Sequence, residues 1–547
     1  MKKISKETKF ILLAIVLIAV FSIAICPVTM QNDTFYAIKI GEHIDKYGID
    51  MKDPFSWHEG LDYTYPHWLY DLFTYYIYSL FGMKGIFICT CLLSAVLGIS
   101  LYLVSSKLTK NKVVPFIVTI GAMYVLKPYI AARAQLVTFI LFIFEMYFIE
   151  RFLESKKNRY GAFLFLDSVL IANLHVAVWP FFFVIFLPYI AEYLIVLISD
   201  IILYSKVQSF ILKRKIKRLR KKNCNFEKYS NKLEEIEKQN IKIKNRREEN
   251  SKNAYKIKIT KNSNNKYLII IMIVCALGGL LTPLGDVPYT YLYNTMKGNT
   301  TQSINEHLPM ELASSPEAMA IVVIILAILI FTNTKISLSD FFFIGGLGYL
   351  MLMSKRQITM LVIIGTVILS RLIIDMFKKY KVDVDKLIDI VLKPLIMSFV
   401  ILLFIFMGVK IIKPKVHQKF ISDTSYPVEA CEYILENIDL GKAKIYNEYN
   451  YGSYMLFRGI PVFIDSRADL YAPEFSGLEN DIFSDFINTS SLTDFYEDTF
   501  EKYGITHVIT YKDSKMNNII KKTEDKNLKQ IYEDNSFTIY ERMNIEK

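Results

Sequence analysis

The sequence predicts a polytopic α-helical membrane protein that carries a C-terminal α/β domain. Of its 547 residues, 52% are hydrophobic and 14% are aromatic, which is more apolar surface than domain-sized cores can bury. Eleven apolar stretches resemble membrane spans, and the composition becomes acidic and polar after residue 412. These observations exclude an ordinary soluble protein.

The net charge of +12 is concentrated in one insert. Residues 205–266 hold 21 basic and 6 acidic residues, so the rest of the chain is slightly acidic and no nucleic-acid partner is implied. The charge pattern predicts a solvated helical hairpin on the cytoplasmic side. Its lysines would contact anionic lipid headgroups, at roughly 1 kcal/mol per basic residue. A regulatory or docking role for the insert is the alternative.

The predicted transmembrane domain covers residues 1–412. A span needs about 17 to 25 apolar residues, and the loops rich in Lys and Arg lie on the cytoplasmic side. Both rules agree when the N-terminus, with Lys2, Lys3, Lys6 and Lys9, is cytoplasmic. The eleven spans are predicted near residues 10–29, 84–106, 113–127, 134–150, 161–175, 178–203, 267–283, 317–333, 338–354, 357–376 and 388–412.

This topology requires the stretch from His67 to Phe81 to lie in the membrane interface rather than cross. A crossing there would move Lys107 and the basic residues after it to the outside. Asp71 and the many aromatic residues in the stretch are typical of an interfacial helix. The alternative is a true span with one extra crossing.

Residues 413–547 are predicted to form a separate water-soluble domain on the outer side of the plasma membrane. They contain 16 basic and 23 acidic residues. Short β-rich runs alternate with helical patterns, which is typical of a small α/β domain. The predicted strands are Ala443 to Tyr446, Pro461 to Ile464, His507 to Tyr511 and Phe537 to Tyr540, and the helices are Pro427 to Asn437 and Leu492 to Tyr503.

The first outer loop, residues 30–83, concentrates titratable side chains beside the bilayer. Three of the seven histidines fall in it, and Asp33 directly follows the first span, so a helix end fixes its depth. Asp33 is predicted to be a general base that takes a proton from an acceptor hydroxyl. The alternative is a helix N-cap, a position that favours Asp. His58 and His67 are secondary site candidates.

Further polar residues stand at the predicted outer ends of the spans. An ionised side chain inside a span costs roughly 2.5 to 3.5 kcal/mol, so their convergence predicts a water-filled functional cavity. Arg133 and Arg356 each stand just before a Gln and an apolar run, where the N–H groups of a guanidinium can hold a phosphate. Lys355 and His175 are further phosphate-binding candidates, and Glu306 is a secondary candidate.

Each of the last three residues also has a structural interpretation. Lys355 can extend from a span end towards water without binding a ligand. His175 can pair with Asn173, two residues earlier in the chain. Glu306 lies in a long loop and can serve the structure of that loop alone.

The front of the chain resembles the GT-C superfamily of glycosyltransferases that use polyprenyl-phosphate sugars, the group that includes protein mannosyltransferases and lipid A aminoarabinose transferases. The resemblance rests on one span followed by NDTFYAIKIGEHIDKYGI, then YPHWLYDLFTYYIYSLFG, and the turn from Pro128 to Arg133. Thr34 stands where many members have a second acid, and Trp68 and Leu69 replace a Pro-Pro pair. The C-terminal run NEYNYGSYMLFRGIPVFIDSRADLY also looks like that of bacterial membrane proteins with this first loop.

The resemblance implies a catalytic Asp in the first outer loop, and Asp33 matches that position. It implies an inverting transfer of sugar from a polyprenyl-phosphate donor to a glycan, protein or lipid acceptor on the outer face of the membrane. A divalent metal, Mg²⁺ or Mn²⁺, is a possible cofactor with Asp33 as a ligand, since some members use one. The six cysteines show no metal-ligand spacing. The alternatives are a transporter or flippase of a lipid-linked anion and an inactive scaffold of the same fold.

Overall fold

The structure is a computed structural model that describes residues 5–203, 205–222, 224–252, 256–259, 262 and 264–543. Lys2 and Lys3 lie outside the described residues, as do parts of the basic insert. The first 412 residues are mainly helical. Their helices are α1 (Lys6–Ile25), α2 (Asn32–Tyr47), α3 (Trp68–Thr109), α4 (Val113–Leu126), α5 (Ala134–Ser155), α6 (Asn158–Leu174), α7 (Trp179–Leu203), α8 (Lys206–Lys221), α9 (Glu227–Lys252), α10 (Asn265–Gly278), α11 (Val287–Lys297), α12 (Thr300–Ser303), α13 (Pro316–Phe331), α14 (Leu338–Met353), α15 (Ile358–Lys379), α16 (Lys386–Val391) and α17 (Pro394–Ile412).

Helices occupy all eleven positions where the sequence predicts spans. Five helical stretches in the described part of the chain are long and apolar enough to cross a membrane: Lys6–Ile25, Trp68–Thr109, Val176–Ser199, Lys355–Lys379 and Pro394–Lys415. Four shorter apolar stretches accompany them: Val113–Tyr129, Asn265–Gly278, Pro316–Phe331 and Leu338–Met353. The structure therefore contains several helices that can cross a membrane, as predicted, and the number of eleven crossings stays a prediction.

Helix α3 consists of two helices joined at Gly82. That residue has φ 61° and ψ −160°, a backbone conformation that only glycine adopts without strain. The break separates residues 68–81 from the long apolar helix that follows. It falls at the end of the predicted interfacial helix, so this helix is distinct from the next span.

Charged side chains from several segments whose ends are predicted to lie on the cytoplasmic side meet around a cavity of 450 Å³. Arg371 forms ion pairs with Glu150 and, at 3.0 Å, with Asp340. Lys107 and Lys335, both predicted to be cytoplasmic, line the same cavity. The insert returns to this region through strand β1 (Ile257–Lys258), which pairs in parallel with β2 (Ile336–Ser337).

The C-terminal region contains a four-stranded sheet in the order β3-β4-β6-β5. Its strands are β3 (Ile445–Tyr446), β4 (His507–Tyr511), β5 (Leu528–Glu533) and β6 (Phe537–Arg542), and its helices are α18 (Val428–Asn437), α19 (Tyr449–Phe457), α20 (Pro473–Ser476), α21 (Ile482–Ser491), α22 (Tyr496–Tyr503) and α23 (Lys515–Thr523). The predicted strand from Pro461 to Ile464 is wrong, because only Val462 makes an isolated bridge, to Ser56. The sequence analysis did not identify β5.

The first outer loop packs directly against this C-terminal region. The buried guanidinium of Arg467 forms ion pairs with Asp53 at 2.6 Å and with Asp465 at 2.7 Å. Trp57 donates a hydrogen bond to the carbonyl of Ile445, and the amide of Asn32 donates to the carbonyl of Tyr449. One continuous apolar core therefore includes both the loop and the sheet.

Candidate functional site

The candidate site is a cavity of 970 Å³ between the ends of the apolar helices, the first outer loop and the C-terminal region. Ligand cavities commonly measure about 300 to 1,000 Å³. Its lining includes six of the eight site residues that the sequence predicts: Asp33, His67, Arg133, His175, Glu306 and Arg356. Packing therefore brings together side chains that are more than 300 residues apart in the sequence.

Asp33 lies in the first turn of α2 and forms an ion pair with Arg133. Its Oδ2 is 2.9 Å from Arg133 Nε. The N-cap of α2 is Gln31, so the N-cap alternative for Asp33 is wrong. The first turn still favours a carboxylate, because the helix dipole places partial positive charge there.

Arg133 is held by a second carboxylate as well. Its Nη1 lies 3.2 Å from Glu306 Oε1, and a backbone in extended conformation places its side chain just before α5. Burial lowers the pKa of Arg133, but the carboxylates of Asp33 and Glu306 raise it more, so the net shift is upward. The charge of Arg133 is already compensated by protein groups, which weakens its case as a phosphate ligand.

Arg356 has a different environment. Its Nη1 donates a hydrogen bond to Nε2 of His307 at 3.0 Å, and no ion pair with a carboxylate is found for it among the described residues. Burial lowers the pKa of Arg356 more than nearby Glu306 raises it, and Arg133 lowers it further. Arg356 therefore offers positive charge to the cavity that protein carboxylates do not neutralise.

Two further histidines lie beside this arginine. The rings of His67 and His175 are 4.7 Å apart between centroids. Burial lowers the pKa of His67 to about 3, with smaller contributions from Arg356 and Arg133. The proposed pairing of His175 with Asn173 is not observed, because the Asn173 amide donates to Val169 and Leu281 and accepts from Trp68.

Lys355 and His58 are not brought into the cavity lining. Lys355 Nζ donates to Oδ1 of Asn305 at 2.8 Å, next to the cavity. His58 lies against the C-terminal region, where its Nε2 donates to the carbonyl of Phe463 at 3.0 Å. In this structure His58 therefore serves the contact between the first loop and the sheet.

Part of the cavity wall comes from the C-terminal region, and the sequence did not predict that this region contributes to the site. Asp469 accepts hydrogen bonds from Tyr291 at 2.5 Å and from Thr300 at 3.1 Å. Burial raises its pKa, although both hydrogen bonds and Arg356 lower it. The sequence signal for Asp469 is the C-terminal run that ends in DSRADLY, which also contains Asp465 and Arg467.

Asp71 is a second carboxyl group in the lining that the sequence analysis did not identify as a site residue. It is 1% exposed, and neither carboxyl oxygen has a hydrogen-bond partner among the described residues. Burial raises its pKa well above the ordinary value, and Asp33 adds to the shift, whereas Arg467 opposes it. Burial in the cavity lining therefore disfavours the charged form of Asp71.

The donor set around Asp33 does not fit a divalent metal. Mg²⁺ and Mn²⁺ take about six ligands, mainly oxygens. Within the described part of the chain, no group of three or more His, Cys, Asp or Glu side chains could hold a metal ion. The two nearby carboxylates, Asp33 and Glu306, are both engaged by Arg133.

No family model and no curated protein sequence matches the chain. Solved structures of the oligosaccharyltransferase from Archaeoglobus fulgidus are similar to it. They are AglB with an inhibitory peptide and a dolichol-phosphate (10% identity, TM-score 0.50), the enzyme tethered to an acceptor peptide with the NVT sequon (11%, 0.50), and the apo form (10%, 0.53). Each match covers 92% of this chain and 69% of the other. The chain has a GT-C-type fold.

This fold agrees with the one that the resemblance of the first loop implies. Together with the apolar helices, it identifies the chain as a multi-pass membrane protein. At identities of 10 to 11% the likeness concerns the fold. The subfamily and the bacterial branch stay predictions.

Proposed function

We propose that the protein is a membrane glycosyltransferase that transfers a sugar from a polyprenyl-phosphate donor to an acceptor on the outer face of the plasma membrane. The observation that carries this proposal is the convergence of Asp33 and Arg356 in one cavity. A carboxylate that can accept a proton and a guanidinium that can hold a phosphate are the two groups that such a transfer needs.

In this reaction Asp33 takes the proton of the acceptor nucleophile. The nucleophile then forms a bond to the anomeric carbon as the bond from that carbon to the phosphate oxygen breaks, which inverts the configuration. The leaving polyprenyl phosphate keeps the electron pair. Arg356 stabilises its charge, and the hydrogen bond to His307 fixes the position of the guanidinium.

The donor site is best assigned to the surroundings of Arg356. His67 and His175 supply imidazole nitrogens on the same side of the cavity, where they can hydrogen-bond phosphate oxygens. Arg133 is less suited because two carboxylates already bind it. The related oligosaccharyltransferase was solved with a dolichol-phosphate, which supports a lipid-linked donor here.

The acceptor is proposed to enter between the membrane part and the C-terminal region. That region forms part of the cavity wall, with Asp469 and Tyr449 in the lining. The similar enzyme was solved in complex with an inhibitory peptide and with a tethered acceptor peptide; for this chain we propose a glycan, protein or lipid acceptor. The proposed topology has a cytoplasmic N-terminus and an outer C-terminal region.

The test uses the purified protein in liposomes with radiolabelled polyprenyl-phosphate sugars. Wild type should form product, and Asp33→Asn should lose at least a hundredfold in rate. Asp45→Asn is the matched control, because Asp45 is an exposed residue of the same helix. Equal product from wild type and Asp33→Asn would reject Asp33 as the base. Movement of donor across the bilayer without transfer would favour a transporter.

A further inference from the structure

In the cavity lining, the guanidinium of Arg133 joins two distant segments of the chain. Asp33 reaches it from the start of α2, with 2.9 Å between Oδ2 and Nε. Glu306 reaches it from the loop before α13, with Oε1 3.2 Å and Oε2 3.5 Å from Nη1. Two carboxylates that are 273 residues apart thus share one cation.

The backbone also fixes the position of Glu306. Its carbonyl accepts hydrogen bonds from the amide of Arg356 at 3.0 Å and from the hydroxyl of Ser354 at 3.3 Å. The amide of Lys355 donates to the carbonyl of Leu308. The loop is therefore anchored at Glu306 and at Leu308, and the Glu306 carboxylate lies against Arg133.

Paired carboxylates from separate segments are an arrangement that suits a hard divalent cation, which takes carboxylate and substrate oxygens. Here a guanidinium lies against both of them. An arginine is always protonated and presents five donors in a planar fork, so it can bind two carboxylates at once. A metal ion would have to displace this side chain to reach the same oxygens.

We propose that the guanidinium of Arg133 is the resident cation of this site and takes the position that a divalent metal would need. It keeps the carboxylates of Asp33 and Glu306 together and connects α2 to the anchored loop. This inference rests on the proposed function for its catalytic meaning. Its first test, metal binding without any sugar donor, is independent of that function.

The exposure of the three side chains agrees with this role. Arg133 is 27% exposed and Asp33 22% exposed, whereas the Glu306 side chain is 45% exposed. Water and small cations can therefore reach the carboxylates from the cavity, so access does not prevent metal binding. Metal binding is prevented instead because the guanidinium of Arg133 already occupies both carboxylates.

The experiment measures binding of Mn²⁺ to the detergent-purified full chain by electron paramagnetic resonance. Wild type should bind no Mn²⁺ below about 1 mM at this site. Arg133→Ala should gain one Mn²⁺ at least tenfold more tightly, because two carboxylates then face each other without a cation. Arg133→Lys keeps the charge but lacks the planar fork, so it should gain less Mn²⁺ affinity than Arg133→Ala.

Two further variants make the test specific. Adding Asp33→Asn to Arg133→Ala should abolish the gained Mn²⁺ signal. Arg151→Ala removes the arginine of an ion pair with Glu154 on the same helix α5 and should gain nothing. Thermal unfolding of every variant in parallel verifies that the proteins are folded.

Two results of the binding experiment would overturn the proposal. The first is wild-type protein that binds Mn²⁺ and loses it with Asp33→Asn or Glu306→Gln. The second is folded Arg133→Ala that gains no Mn²⁺. Chelator-treated wild type should also keep its full transfer rate, and a complete loss that Mn²⁺ restores would equally reject the proposal. Failure of transfer in every sample would instead reject the proposed function.

Discussion

Arg356 donates a hydrogen bond to Nε2 of His307 at 3.0 Å, so the proton shared by these two side chains belongs to the arginine. We expect Arg356→Ala to weaken binding of a polyprenyl-phosphate sugar about 10- to 100-fold, because a hydrogen bond to a charged group contributes about 1.5 to 3 kcal/mol. Binding of a fluorescent donor to protein in nanodiscs measures this. Lys355→Ala is the control and should change affinity less than threefold, since Lys355 binds Asn305 instead. Equal losses in both variants would contradict this assignment.

The contact of His58 with the C-terminal region predicts a loss of stability at mildly acidic pH. Burial lowers the pKa of His58 to about 4, with Lys444 contributing and the hydrogen bond to Phe463 opposing. Below pH 6.5 the unfolded state therefore binds a proton that the folded state does not, so stability falls as pH decreases from 6.5 to 4. The loss at pH 5 should be about 1 to 2 kcal/mol.

Thermal unfolding at pH 7 and pH 5 measures this effect. His58→Gln should show a smaller difference between the two pH values than wild type. His417→Gln alters an exposed histidine and should leave the difference unchanged. An identical pH dependence in wild type and His58→Gln would show that other groups cause it.

The buried ion pairs of Arg467 predict a large loss of stability when this residue is removed. Arg467→Met leaves Asp53 and Asp465 without their cation, and both of these side chains are 0% exposed. Breaking a buried pair on one side costs about 3 to 5 kcal/mol. Limited proteolysis should then cut the first loop and the C-terminal region, which these ion pairs hold together, faster than in wild type.

Arg458→Met is the matched control for this prediction. Arg458 is 24% exposed and lies 3.9 Å from Glu432, so its loss should cost less than about 1 kcal/mol. Adding Asp53→Asn to Arg467→Met should restore part of the stability by removing one unpaired charge. Unchanged unfolding of Arg467→Met would show that these pairs contribute little.

The close approach of α2 and α3 predicts that Gly41 cannot be replaced. A Cβ at Gly41 would lie 2.1 Å from the carbonyl oxygen of Asp71 and 2.6 Å from Cβ of Tyr75. Gly41→Ala should therefore cost about 1 to 3 kcal/mol and shift the helix that carries Asp33, with a loss of transfer activity. Gly345→Ala, where a Cβ meets nothing within 4 Å, should affect neither stability nor activity.

Much of the helical layout could be predicted because an apolar stretch of the right length identifies a membrane helix in the sequence itself. The end of the interfacial helix could be predicted from where the next apolar stretch begins, and Gly82 marks this end in the structure. Asp33, Arg133 and Arg356 could be placed at one end of the helices because chain position relative to a span fixes depth. The identity of their partners could not be predicted.

The partners depend on packing between distant segments, which leaves no periodic signal. Nothing in the sequence near Arg133 indicates Glu306, and nothing near Arg356 indicates His307. His58 looked equivalent to His67 because both lie in one polar loop, yet they face different neighbours. Asp71 suited an interfacial helix by composition, and only the fold shows that its carboxyl group is buried at the cavity.

The hydrogen bond from the amide of Asn32 to the carbonyl of Tyr449 joins residues 417 positions apart, and both residues line the cavity. During synthesis, α2 and Asp33 emerge long before the residues that complete the site. A nascent chain therefore carries Asp33 without the residues that complete the cavity. The cavity is complete only when the last quarter of the chain has folded back onto the first loop, so any activity that depends on this cavity appears only after the C-terminal region has folded.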